Sequence, residues 1–227
     1  MKFICLVGTI AALSNPLLRA EGSAKDTGKY AKQLELFVKG NRPKAIGDLI
    51  KEMAGIDDPK VAVLFPGAGT AIPSSANYAA AVDAIAGLKS EASVQALVGA
   101  LKKTKGDYRQ RVLILEAFGK RADPASLDII VEQLKAQIVH VQVAAIHAAR
   151  ARKERAPISI LIDLLSDHQR ARNRTWAESH MALVDLTGKD FDAAEDWKKF
   201  WSSVETTFDP RQVGKEGGPT RIEAKQV

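Results

Sequence analysis

SVQALVGALKK at Ser93–Lys103 returns as SLDIIVEQLKA at Ser126–Ala136 and again as ISILIDLLSD at Ile158–Asp167. A second apolar run follows each copy: VLILEAFGK, then VAAIHAARA, then AESHMALVDLTG. The period is 31 to 34 residues, the length of two helices and a turn. Within each run the apolar residues fall at helical spacing and so share one face. One hairpin of that size cannot enclose its own apolar face, so successive copies must stack and bury it between them. The predicted fold class is all-α: an α-α superhelix, a right-handed solenoid of antiparallel helical hairpins.

Working outward, the hairpins pair Ser93–Lys103 with Asp107–Lys120, Ser126–Ala136 with Ile138–Arg152, and Ile158–Asp167 with Thr175–Leu186. Ser93 and Ser126 stand at expected N-caps, and Pro124 and Pro157 at or beside helix starts, where proline is tolerated. Ala76–Leu88 reads as the second helix of a preceding unit. Upstream, Lys25–Lys39 forms a helix with Tyr30, Leu34, Leu36 and Phe37 on its apolar side. Pro43 then opens another, KAIGDLIKEMA. Residues 57–75 break the pattern and are expected to form a loop after a short helix. Their PGAG stretch is a partial phosphate-loop match that lacks the third glycine, where Ile72 stands, and the Lys-Ser/Thr pair.

Downstream, Gly188 is a natural left-handed C′ residue. Trp197, Phe200, Trp201 and Val204 then follow at i, i+3, i+4 and i+7 of a helix over Asp192–Glu205. An aromatic stripe of this kind fits a sugar-stacking platform, but a solenoid end needs a lid, and the lid is favoured. The expected organisation is a signal peptide over 1–24, an N-terminal helical cap or degenerate repeat with a loop over 25–75, repeats over 76–188, a C-terminal capping helix over 189–208 and a flexible tail over 209–227.

Lys2 precedes the apolar run Phe3–Leu13, and small residues follow, which describes a secretory signal too short to span a membrane. Cleavage is expected after Ala20 or, preferably, Ala24, giving a periplasmic or secreted protein. The one cysteine, Cys5, lies inside that signal. The mature chain therefore has no thiol for a disulfide, a thiolate zinc site or nucleophilic catalysis. A net charge of +6 keeps the protein off neutrality without naming a partner.

Residues 93–187 resemble HEAT repeats, specifically the short HEAT-like type of the phycobilisome-lyase group. That family's second helix carries a valine and an arginine, then an Ala-Leu pair and a glycine. Ala117-Phe118-Gly119, Ala148-Ala149 and Ala182-Leu183 fill the pair here. Arg111 fills the arginine slot once, while Gln142 and Trp176 occupy it elsewhere. Ala182–Trp201 resembles the terminal unit of exported bacterial HEAT-repeat proteins. The resemblance implies the fold and leaves the function open, because this scaffold hosts many roles.

Three candidate sites follow. Glu116, His147 and Glu178 are spaced 31 apart and would form a row on adjacent second helices, with His140 on the same face as His147. HEAT-repeat di-iron hydroxylases bind metal through His-Glu dipeptides, which this chain lacks, so neither a metal nor a cofactor is expected. No serine or histidine sits in a nucleophile motif. Between Arg150 and Arg174 seven basic residues, including Arg152, Arg170 and Arg172, stand against three acids. The reading is a non-catalytic scaffold that binds another protein through the face of its second helices. One alternative is binding of an acidic polysaccharide or nucleic acid by the arginine cluster; another is a metal-dependent enzyme.

Overall fold

The computed structural model describes residues 23–103, 107–168 and 172–215, with side chains from Thr27 onward. The expected signal peptide, Cys5 and Arg170 lie outside these residues, as does the tail beyond Lys215. The described chain is all-α, and its helices pair and stack as the repeat requires. Helix α1 spans Ser23–Lys39, α2 Pro43–Ala54, α3 Pro59–Ala62, α4 Phe65–Thr70, α5 Ser75–Ala86 and α6 Glu91–Lys103. Then come α7 Tyr108–Gly119, α8 Pro124–Gln133, α9 Val139–Arg152, α10 Ala156–His168, α11 Arg174–Thr187 and α12 Ala194–Val204.

Two rows result. In one, α3, α6, α8 and α10 follow each other; in the other, α2, α5, α7, α9 and α11 do. Between the rows lies one continuous core, with Ile46, Ile85, Leu97, Leu113, Ile130 and Leu161 at most 2% exposed. Burying each such side chain contributes about 1.5–3 kcal/mol, and a short hairpin gains it only from a neighbour. The middle helix α9 shows the consequence. It is buried on most sides, from Val141 through Ile146 and at Ala148 and Ala149, and keeps a narrow exposed strip at His140, His147 and Arg150. Its small residues let α7 approach closely: a Cβ on Gly119 would lie 2.9 Å from the Ala148 Cα.

The second row is parallel. Tyr108 and His140 stack at the N-terminal ends of α7 and α9, while Arg150 and Asp185 pair at the C-terminal ends of α9 and α11. The far end is closed by α12, which packs on α10. Trp197 and Trp201 are 0% and 6% exposed, and their indole N–H groups donate to the Phe191 carbonyl (2.8 Å) and the Ser159 hydroxyl (3.0 Å). Buried rings with satisfied donors make a cap and leave no sugar platform at these two positions.

Three local expectations are corrected. Residues 57–75 are not a plain loop: Asp58 accepts from the Lys60 N–H to cap α3, and α4 follows two residues later. Gly69 is required there by space, since a Cβ would meet Leu113 at 2.6 Å and Ala81 at 2.8 Å, wedging α4 off α5 and α7. Neither Ser93 nor Ser126 is an N-cap. Ser93 is buried inside α6, and the cap of α8 is Asp123, whose carboxylate accepts from the Ser126 N–H at 2.9 Å. Finally, the segment after the cap is folded as far as it is described. Asp209 caps a 3₁₀ turn over Pro210–Gln212, Pro210 is buried, and the turn packs on α11.

Candidate functional site

The N-terminal halves of α7 and α9 leave an open groove of about 630 Å³ on the second-helix face. Its floor is apolar, with Val112 from α7 and Val143 and Ala144 from α9. One wall comes from the α4–α5 connection, where Ile72, Pro73 and Ser74 turn the chain from α4 into α5. Ser74 accepts from the Asn77 N–H, so the wall is fixed by an ordinary helix cap. The rim carries Tyr78, the stacked Tyr108–His140 pair, Arg109, His147 and Arg174. The Tyr108 and His140 rings lie 5.0 Å apart at an interplanar angle of 17°, and Tyr108 is 41% exposed.

Carboxylates stand behind this rim. The Tyr78 hydroxyl donates to Glu116 at 2.9 Å; burial, and then the carboxylate, push the phenol well above its ordinary pKa and keep it a donor. Glu178 meets the His147 Nε2 at 2.8 Å and the Arg174 guanidinium at 3.9 Å. Asp107 caps α7 and reaches back to the Arg109 guanidinium at 3.3 Å. The ionisable side chains that line the groove itself are Arg109, His140, His147, Arg174 and the two tyrosines, without a carboxylate.

The proposed metal-type row is therefore divided. His147 and Glu178 do meet across the 31-residue spacing, but Glu116 is engaged by Tyr78. Among the described residues no group of three His, Cys, Asp or Glu is placed to hold a metal ion.

The arginine cluster is divided as well. Arg150 pairs with Asp185 at the C-terminal end of α11, whereas Arg174 opens that helix eleven residues earlier, about 16 Å away along the axis. Arg172 turns with φ +39° and lays its guanidinium 4.9 Å above the Trp176 ring. Arg152 leaves the surface altogether. Its side chain is 3% exposed, donates to the Ser126 hydroxyl at 2.8 Å and the Asp123 carbonyl at 3.2 Å, and has its pKa lowered by burial. Arg111 is also a tie, from α7 to Gln133 at the end of α8, where Gln142 of α9 converges on the Leu134 carbonyl at 2.9 Å. Arg111 thus fastens the second row to the first.

Compared with protein-family models, with curated proteins and with solved structures, the chain matches none.

Sequence reasoning missed the groove because its wall and floor lie far apart in the chain. The available signal was Tyr108 and His140, aromatic and imidazole at equivalent places one period of 32 residues apart. At the other end of α9 a second hollow of about 580 Å³ is lined by His147, Arg150 and Lys153 together with Val213 and Gly214, so the segment after the cap reaches the same face.

Proposed function

We propose that the protein is an exported, non-catalytic scaffold of HEAT type that holds a segment of another protein on its second-helix face. The observation that carries this reading is the open groove floored by Val112 and Val143, with Tyr108 exposed at its rim. A preformed helical face lowers the ordering cost of binding, and exposed aromatic side chains are the usual anchors. The resemblance of residues 93–187 to HEAT repeats and the signal-like start support the fold type and the export. The sequence carries no nucleophile motif that would favour catalysis.

Affinity capture from the envelope fraction with the purified protein tests this, read beside a Tyr108→Ala/His140→Ala variant, both positions being exposed. A protein retained at high salt by the parent and lost by the variant is the expected result. Retention unchanged by the variant would place any partner elsewhere and end this reading.

A further inference from the structure

We infer that the groove selects an acidic segment of its partner, with carboxylates at both ends of a short extended stretch and an apolar or aromatic side chain between them. The inference rests on the docking reading above and names the partner's chemistry. Three observations carry it.

The first is charge. The groove is lined by Arg109, Arg174, His140 and His147 with no acidic side chain among them. Nearby acids are committed: Asp107 to the α7 cap, Glu178 to His147 and Arg174, and Glu116 to Tyr78. The two arginines remain available, being 60% and 61% exposed, and their contacts to the less exposed Asp107 and Glu178 are long, at 3.3 and 3.9 Å. Exchanging such a pair for a partner's carboxylate therefore costs little, and a planar guanidinium binds carboxylate in two parallel bonds.

The second is spacing. Arg109 sits at the start of α7 and Arg174 at the start of α11, with α9 between them in a parallel row. Packed helix axes are 8–10 Å apart, so the starts of α7 and α11 are roughly 16–20 Å apart. An extended chain covers that in about five to six residues.

The third is the floor between them. Val112 of α7 and Val143 and Ala144 of α9 line the groove about one helical turn along from the Tyr108–His140 stack. A residue facing them can bury an apolar ring or branched chain, and alternate side chains of an extended segment face the same way. Lysine or arginine in the segment would face Arg109 and Arg174 and be rejected.

A random heptapeptide display selection on the purified protein, with a counter-selection on the Tyr108→Ala/His140→Ala variant, tests this. The expected peptides carry Asp or Glu near both ends and Tyr, Trp, Phe, Leu or Ile between. Their affinity should fall at least about tenfold in Arg109→Glu/Arg174→Glu, whose helical dichroism should match the parent's at the assay temperature, and should weaken with salt. Groove-dependent peptides that are neutral or basic, or that bind the double charge-reversal variant equally, would overturn the acidic inference while leaving the docking reading standing. Binding that follows net charge alone, and that heparin displaces equally for every sequence, would overturn it in favour of unspecific polyanion attraction. No peptide distinguished by the counter-selection would overturn both.

Discussion

At the edge of the stack where second helices end, Arg121 and Arg152 are 8% and 3% exposed; at the edge where they begin, Arg109 and Arg174 are 60% and 61% exposed. The buried pair does structural work. Arg121 donates to the carbonyls of Ile85 (3.1 Å), Ala86 (3.2 Å) and Leu88, closing the C-terminus of α5, and bonds the Asp123 carboxylate at 2.6 Å. Asp123 in turn caps α8, and Arg152 reaches the same turn from the following hairpin through Ser126. One turn thereby ties three successive units. At the other edge Arg111, Gln142 and Thr175 make a smaller tie between the rows, while Arg109 and Arg174 stay largely exposed beside an apolar floor. Two arginine pairs of one chain thus divide between holding repeats together and facing outward, and the number of backbone carbonyls within reach makes the difference.

The largest expected effect breaks the buried edge. Arg121→Ala strips donors from three carbonyls and leaves Asp123 without its cation, which should cost about 2–4 kcal/mol. Urea unfolding followed by circular dichroism measures it, and Arg152→Ala should fall in the same range. A loss below about 0.5 kcal/mol would mean that the turn holds without its arginines.

Next comes pH. Burial raises the Asp123 pKa, but the Ser126 N–H, Arg121 and the Ser126 hydroxyl together outweigh it and hold the carboxyl below its ordinary 3.8. A carboxyl depressed on folding gives stability that is fully present above its unfolded value and is lost as pH falls through the folded one. Unfolding free energy should therefore decline below about pH 4, and Asp123→Asn should flatten part of that decline while lowering stability at neutral pH. A decline of unchanged slope in the variant would assign acid sensitivity to other groups, such as Asp57, which is depressed in the same way by the Ser93 side chain and the Ser90 and Lys89 N–H groups.

The smallest effect sharpens the contrast. Arg109→Ala and Arg174→Ala should each change stability by no more than about 0.5 kcal/mol, because exposed pairs are screened and flexible. The same unfolding experiment reads both edges, so a large loss at Arg174 would erase the distinction.

Much of the stack was legible because its cause is periodic. The helices from α5 to α11 lie within a few residues of the spans that the apolar spacing predicts, since each buried stripe is recorded locally. Gly188 takes φ +70° at the end of α11, as its position after the last repeat suggests. What was not legible depends on distant partners. Nothing local distinguishes Arg152 from Arg150, although one is enclosed and the other pairs with Asp185 at the surface. The PGAG stretch carries two glycines and two nearby prolines, signals of a loop, yet packing against Leu113 and Ala81 turns it into α4. For the site, Arg174 and His147 were named from sequence and line the groove, whereas Tyr108, Val112 and Val143 were not, because an apolar residue on a helix gives no sign of whether a neighbour covers it.

The placement of the indoles has a practical consequence. The chain's three tryptophans, Trp176, Trp197 and Trp201, all belong to its last hairpin and cap. Intrinsic emission is therefore a local thermometer. A stack whose units contact only their neighbours can fray from one end, and a melt followed by fluorescence will time the loss of the cap. Far-ultraviolet dichroism, which weighs every helix equally, will time the loss of the rest. Any temperature gap between the two curves measures how far one end of this molecule can open while the other remains folded.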